Sequence, residues 1–169
     1  MTRARPRKPK KTSKSESHGN GHRPDGSRGK VGYAVVGCGY IAQAAVLPAF
    51  AHAKKNSRLV ALVSGDPLKK RTLARRYGVE HVFGYEHYAD CLALPDVDAV
   101  YIALPNHMHR DYAVAAARAG KHVLCEKPLA VTPAECEEMI EAAADAGVRL
   151  MTAYRLHFER ANLKAVEIV

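Results

Sequence analysis

Two adjacent charges sit where an apolar run ends. In "LCEKPLA", residues 124–130, Glu126 and Lys127 follow a buried-looking stretch and precede Pro128. A lysine at such a point is a solvated strand-end charge paired with its neighbour, or a group aimed at a reactant. Beside a hydroxyl, an ammonium stabilises a developing alkoxide and exchanges a proton with it. Pro128 fixes the direction in which the backbone leaves. A lysine used this way needs a partner group held in front of it, so the rest of the chain must supply a binding surface.

The segment Gly37-Cys38-Gly39-Tyr40-Ile41-Ala42 offers one. It reads G-x-G-x-x-A between an apolar strand, "VGYAVV", and a helix. Gly37 permits the tight turn, Gly39 lets the backbone approach a pyrophosphate, and Ala42 lets helix and strand pack closely. The helix N-terminus then presents free N–H groups and a partial positive charge to the phosphates. In that context the motif predicts a bound dinucleotide.

The elements that position these groups follow from periodicity and punctuation. "YIAQAAVLPAFAHA" reads as a helix with Pro48 as a kink. "LVALVS", "HVFGY", "VDAVYIAL", "KHVLC" and "VRLMTAY" read as five further strands. Asp66 caps a helix with Pro67 at its first position and Gly78 at its end. A short helix is expected over Glu86–Ala93, and another over His107–Ala119, stopped by Gly120. Thr132-Pro133-Ala134-Glu135 is a capping box that opens a helix closed by Gly147. Residues 158–169 read helical. Strands apolar on both faces that alternate with helices predict an α/β, doubly wound, mostly parallel sheet of the Rossmann type.

In such a sheet ligands lie beyond the carboxyl ends of the strands. "LPNHMH" (104–109), "EKP" and "AYRLH" all fall there. At the end of the second strand an acidic residue would bond a ribose 2′-hydroxyl; here Ser64 stands in that place, with Lys69 and Lys70 in the next helix. A serine donates to a 2′-phosphate that a carboxylate would repel, which favours NADP, with NAD as the alternative. Asp66 is the rival ribose ligand, its other role being the helix cap. Lys69 and Lys70 read alternatively as an exposed helix face. His107 and His109 are two apart and do not share a helix face, so no metal site is expected.

Composition limits the remaining classes. Half of the 169 residues, less a few, are hydrophobic, yet no run approaches the roughly 20 apolar residues of a membrane span. Four separated cysteines make neither a CxxC pair nor a disulfide framework, which predicts a reduced, cytoplasmic protein. Residues 1–30 hold ten of the 26 Lys and Arg and only two of the 17 acids, so the net charge of +9 is mostly a property of this segment. It is expected to be a disordered basic tail; a basic arm can touch nucleic acid, but a merely solvated tail, or extra length from a start codon placed too far upstream, is the favoured reading, so no nucleic-acid partner is expected.

Taken together, GCGYIA, PNxxH (Pro105, Asn106, His109), AGKHVLCEKPLA and Tyr154-Arg155 resemble the Gfo/Idh/MocA oxidoreductases, and the ends "ALVSGDPLKK" and "YRLHFERANLKAV" resemble their glucose–fructose oxidoreductase branch. The resemblance runs from Val31 to Val169. It implies NADP-dependent hydride transfer at a carbinol carbon of a sugar or polyol, with Lys127 as the catalytic residue. It implies cofactor contacts from Gly37, Gly39, Tyr40, Ile41, Ser64, Lys69, Tyr85, Leu104, Pro105, Asn106, His109, Glu126, Lys127 and Arg155. It also implies a Lys127–Pro128 bond that is often cis. Residues 31–155 would form the cofactor domain. Residues 156–169 would begin the connection to a C-terminal α+β substrate domain, which also carries the oligomer interface and is absent from this sequence. An incomplete chain is therefore expected, retaining cofactor binding better than turnover. The alternative is a non-catalytic dinucleotide-binding module that works with a partner chain.

Overall fold

The computed structural model describes residues 29–168. The expected disordered tail lies, apart from Gly29 and Lys30, outside the described residues. Six strands form one sheet in the order β3-β2-β1-β4-β5-β6: β1 (Val31–Val36), β2 (Ser57–Val63), β3 (His81–Phe83), β4 (Ala99–Ile102), β5 (His122–Cys125) and β6 (Leu150–Thr152). Every pairing is parallel. The order reverses between β1 and β4, which makes a crevice at their carboxyl ends.

The helices are α1 (Leu47–Ala49), α2 (Pro67–Tyr77), α3 (Tyr88–Ala93), α4 (His109–Arg118), α5 (Pro133–Asp145) and α6 (Arg160–Ile168). The expected signals act locally as chemistry requires. Asp66 Oδ1 accepts from the Leu68 and Lys69 amides at 2.9 and 3.0 Å, and Pro67 follows it. Gly78 ends α2 with a left-handed φ of 65°, a conformation that costs a side-chain-bearing residue more. Thr132 and Glu135 complete the capping box of α5 by bonding each other's backbone.

Strand ends are set by pairing rather than by apolar runs. β2 begins two residues earlier than the apolar run, because Ser57 pairs with Val31, and a register shift between Tyr33 and Ala34 absorbs the difference. β4 is shorter than its apolar run, because only Ala99–Ile102 finds neighbours on both sides.

The first helix departs most from expectation. It runs from Tyr40 through a π-helical stretch, Ala42–Val46, before α1, and turns at Phe50. The Leu47 amide bonds the Ala42 carbonyl, five residues back. Pro48 has no N–H, and its ring would crowd the carbonyl four residues earlier; a wide turn upstream removes that clash. Pro48 therefore acts through the turn before it and not through a simple kink.

Two cores flank the sheet. On one face Val35, Leu62 and Ala103 pack against Ala42, Val46, Leu47 and Leu73 from the first two helices. On the other, Val36, Val63, Val100, Ile102 and Cys125 pack against Leu92, Ala113, Ala116 and Met139 from α3, α4 and α5. Ala113, Ala116 and Ala117 are small, so α4 lies close to the strands. Leu47, Leu62 and Ile102 are completely buried, and each contributes about 1.5–3 kcal/mol of apolar burial. Leu124 is half-buried and Met151 exposed, so the first face is less covered toward β5 and β6.

Candidate coenzyme and substrate site

The parallel ladder continues past the strand ends. Gly37 N–H donates to the Val63 carbonyl at 2.9 Å, Ala103 N–H to Val36 at 2.8 Å, Glu126 N–H to Ile102 at 3.0 Å and Ala153 N–H to Cys125 at 2.7 Å. The glycine turn, the loop after β4, the Glu126–Lys127 loop and the Tyr154–Arg155 segment thus all start from one rim.

The two motif glycines do different work. Gly37 is buried with φ 94°, and a Cβ there would stand 2.5 Å from the Ala103 carbonyl oxygen. It is required by the fold: the turn must pass against the start of the loop after β4. Gly39 is exposed, and a Cβ there would meet nothing within 4 Å. The chain itself leaves that space open. The helix closes its first bond from Gln43 N–H to the Gly39 carbonyl at 3.2 Å, leaving the amides of Tyr40, Ile41 and Ala42 ahead of it. Gln43 Nε2 also donates to the Cys38 carbonyl at 2.8 Å, which pins the turn. Open space above a row of helix-start amides fits a pyrophosphate.

At the end of β2, Ser64 is buried and its Oγ accepts from the Asp66 amide at 3.3 Å. Its hydroxyl sits beneath the turn, beside the Cys38 thiol. Asp66 is committed to its helix cap. The amide bonds, with Lys69 first, hold its carboxyl below the ordinary range. Lys69 is exposed and lies 3.4 Å from Asp66 Oδ2. The Tyr85 ring covers Gly65, where a Cβ would stand 3.1 Å from it, and packs edge-on against Tyr112. Burial raises the Tyr85 hydroxyl, with a smaller push from Cys38.

On the other side of the crevice Leu104 is buried against the glycine turn, whereas Pro105 and Asn106 are exposed. Glu126 is half-buried. Tyr101 donates from its hydroxyl to Glu126 Oε1 at 2.8 Å, and Lys127 N–H donates to Oε2 at 3.3 Å. Burial pushes the Tyr101 hydroxyl well above the usual phenol range, and the Glu126 carboxylate adds to this. Tyr101 therefore remains a donor at any ordinary pH. The Glu126 carboxylate is held by a phenol and an amide, so the expected alternative of a Glu126–Lys127 ion pair does not occur. Lys127 is exposed and makes no ion pair among the described residues. Its bond to Pro128 is cis. Ile41, Tyr101, Glu126 and Arg155 share a cleft of ≈ 290 Å³, closed on its apolar side by Tyr33 and Phe50. Tyr40, Lys127 and Arg155 are exposed around this rim.

His109 bonds locally, beneath the loops that would carry a coenzyme. It is 1% exposed, with Nδ1 2.9 Å from the Pro128 carbonyl oxygen and Nε2 2.9 Å from that of Leu104. It sits beneath the loops, because the first turn of α4 buries its inward face against them. Tyr101 carries the opposite lesson: "VDAVYIAL" marks it only as a strand residue, and nothing local predicts its bond to a carboxylate 25 positions away. Burial pushes the Cys125 thiol up to about 12 and Cys91 up to about 11, so neither is a nucleophile at neutral pH. No cluster of potential metal ligands occurs among the described residues, and no helix among them is long and apolar enough to cross a membrane.

Residues 31–154 match the family described as "Oxidoreductase family, NAD-binding Rossmann fold", named GFO_IDH_MocA. The chain belongs to the Gfo/Idh/MocA oxidoreductase family. The chain is also similar to known proteins. D-xylose 1-dehydrogenase (NADP(+)) 2 of Haloferax volcanii is 35% identical over 137 residues, covering 81% of this chain and 41% of the relative. The aldose-aldose oxidoreductase of Caulobacter crescentus, solved with glycerol, superposes with a TM-score of 0.79 at 47% identity, over 82% of this chain and 42% of that one. The WlbA dehydrogenase of Bordetella pertussis, solved with NADH and UDP-GlcNAcA, gives 0.74 at 29% identity, over 82% and 42%. The chain thus spans about two-fifths of the length of these proteins. It carries the Rossmann fold of that oxidoreductase family, a fold described for the family as NAD-binding.

Two substitutions separate fold from binding at the turn. Gly37→Ala should destabilise the domain by at least about 2 kcal/mol, from backbone strain and the Ala103 clash, measured by urea unfolding. Gly39→Ala should leave unfolding unchanged and abolish saturable NADPH binding, followed by coenzyme fluorescence. Tyr101→Phe should cost about 1 kcal/mol of stability by the same urea measurement, the worth of one hydrogen bond.

Proposed function

We propose that the protein is an NADP(H)-dependent oxidoreductase of sugars or polyols, of the glucose–fructose oxidoreductase branch, with Lys127 as its proton-transfer residue. The observation that carries this reading is the exposed Lys127, which makes no ion pair among the described residues, on the same rim as the open space at Gly39. A nicotinamide held there would supply the acceptor for the hydride, with its two electrons, that leaves the carbinol carbon. Lys127 in its neutral amine form would accept the hydroxyl proton as the carbinol becomes a carbonyl, and as an ammonium it would return that proton in the reverse direction. Leu104, Pro105 and Asn106 would line the coenzyme, and Glu126, held by Tyr101, would contact it near the nicotinamide end. Ile41 and Arg155 share the Glu126 cleft, and Tyr40 and Tyr85 flank the phosphate turn and the end of β2. A sugar or polyol as substrate is supported by the xylose and aldose named for the relatives.

For the coenzyme, NADP is the better reading. Two observations support it: Ser64 stands where an acidic residue would bond the ribose, and the nearest carboxylate, Asp66, gives Oδ1 to its helix cap and Oδ2 to the exposed Lys69 at 3.4 Å. Ser64 would join Lys69 at a 2′-phosphate by turning its hydroxyl away from the Asp66 amide. A second reading, a dinucleotide-binding module that acts with a partner chain, draws on the exposure of Lys127 and Arg155 at the rim. In either case a homo-oligomer of the whole protein is part of the proposal.

Reduction of NADP⁺ by a panel of aldoses and polyols, read at the absorbance of the reduced coenzyme, tests the reaction. Lys127→Ala should lower the rate by about 100-fold or more, the usual scale of a lost general acid–base group, with NADPH affinity retained. Coenzyme binding without exchange for any substrate would favour the second reading. Lys69→Ala should weaken NADPH by about tenfold, roughly one charge-assisted contact, and leave NADH unchanged in parallel titrations; equal losses for both would overturn the NADP assignment.

A further inference from the structure

His109 opens α4 and, among the described residues, is one of two buried polar residues, with Ser64. Its two ring nitrogens face carbonyl oxygens of different loops. The Leu104 carbonyl belongs to the loop after β4, which carries Pro105 and Asn106; the Pro128 carbonyl belongs to the loop after β5, which carries Glu126 and Lys127. The strand ladder between these loops ends where Glu126 N–H meets the Ile102 carbonyl. Beyond that point, among the described residues, His109 supplies the hydrogen-bonding contact that both loops share.

The ring is flat and rigid, and its nitrogens lie on opposite edges. A neutral imidazole donates from one nitrogen and a doubly protonated one from both. The doubly protonated ring bonds both carbonyls; the neutral ring bonds one and holds the other by contact alone. Above it, Pro105, Asn106, Lys127 and Pro128 are all exposed loop residues, so their anchorage comes from below.

We propose that His109 is a positioning residue: it sets the loop carrying Asn106 and the loop carrying Lys127 at a fixed spacing, so that both address the nicotinamide end of one coenzyme. The inference rests on the function proposed above and deepens it. Its signature is a loss confined to one half of the coenzyme. The phosphate turn and the end of β2 lie across the crevice, and His109 touches neither.

The test compares NADPH with 2′-phospho-ADP-ribose, which lacks the nicotinamide, in titrations of the wild-type chain, His109→Leu and His109→Gln. In His109→Leu, NADPH should weaken by about tenfold, a loss of one good polar contact, and the rise in nicotinamide fluorescence on binding should vanish. The affinity for 2′-phospho-ADP-ribose should stay unchanged. His109→Gln, whose amide nitrogen donates twice, should recover part of the NADPH affinity and fluorescence. Equal weakening of both ligands, or no change in either, overturns the proposal and leaves His109 a fold residue only. Should His109→Leu fail to fold, the same comparison in His109→Gln decides: a loss for NADPH alone supports the proposal, and parallel losses sink it. A wild-type chain that binds neither ligand overturns the dinucleotide reading itself, and the proposal with it.

Discussion

The carboxyl-end rim of the parallel sheet governs everything chemical in this molecule. Parallel pairing obliges each strand to return on the far side of a helix, so every strand ends at the same edge. Here the ladder bonds extend one residue into each loop: Gly37 to Val63, Ala103 to Val36, Glu126 to Ile102, Ala153 to Cys125. Four segments distant in sequence are thereby bound to one line of amides and carbonyls. The close approach of Gly37 to the Ala103 carbonyl is the tightest expression of this constraint. Without it the phosphate turn and the loop after β4 could not share a crevice.

Above this rim the charged groups are divided by solvation. Glu126 is half-buried and fully engaged by Tyr101 and the Lys127 amide, so its position is set before any ligand arrives. Lys127 is exposed and has no ion-pair partner among the described residues, as a group needs if it is to meet a changing partner. Asp66 and Ser64 are likewise occupied by the local backbone. The site therefore presents cations outward and keeps its anions tied, a distribution that suits a multiply negative ligand.

Local signals in the chain made much of this legible. Alternating apolar runs, the Asp66–Pro67 and Thr132–Pro133 starts and the Gly78, Gly120 and Gly147 stops foretell each element, because they act over a few residues. The glycine turn could be placed because its chemistry is contained in six positions. The π-helical stretch could not, because it is the helix's answer to Pro48 in the presence of a packed Leu47. The Tyr101–Glu126 bond and the burial of His109 were hidden for a related reason. Both depend on residues from other strands, and a histidine in "PNHMH" looks the same in sequence whether it faces a ligand or the interior. Strand limits also depended on neighbours: β4 has the length its partners allow.

The wide turn at Ala42–Val46 has a further meaning for how such a chain can vary. It holds one more residue than a regular helix would in the same rise, so the segment before it and the segment after it need not keep a common angular phase. The start of the helix is oriented by the glycine turn, and its end by the seating of Leu47 under the sheet. A regular helix would force those two orientations to agree; this one lets each be satisfied separately. The spare residue works as a joint, and mutational drift in the packing of the far end is insulated from the amides at the near end.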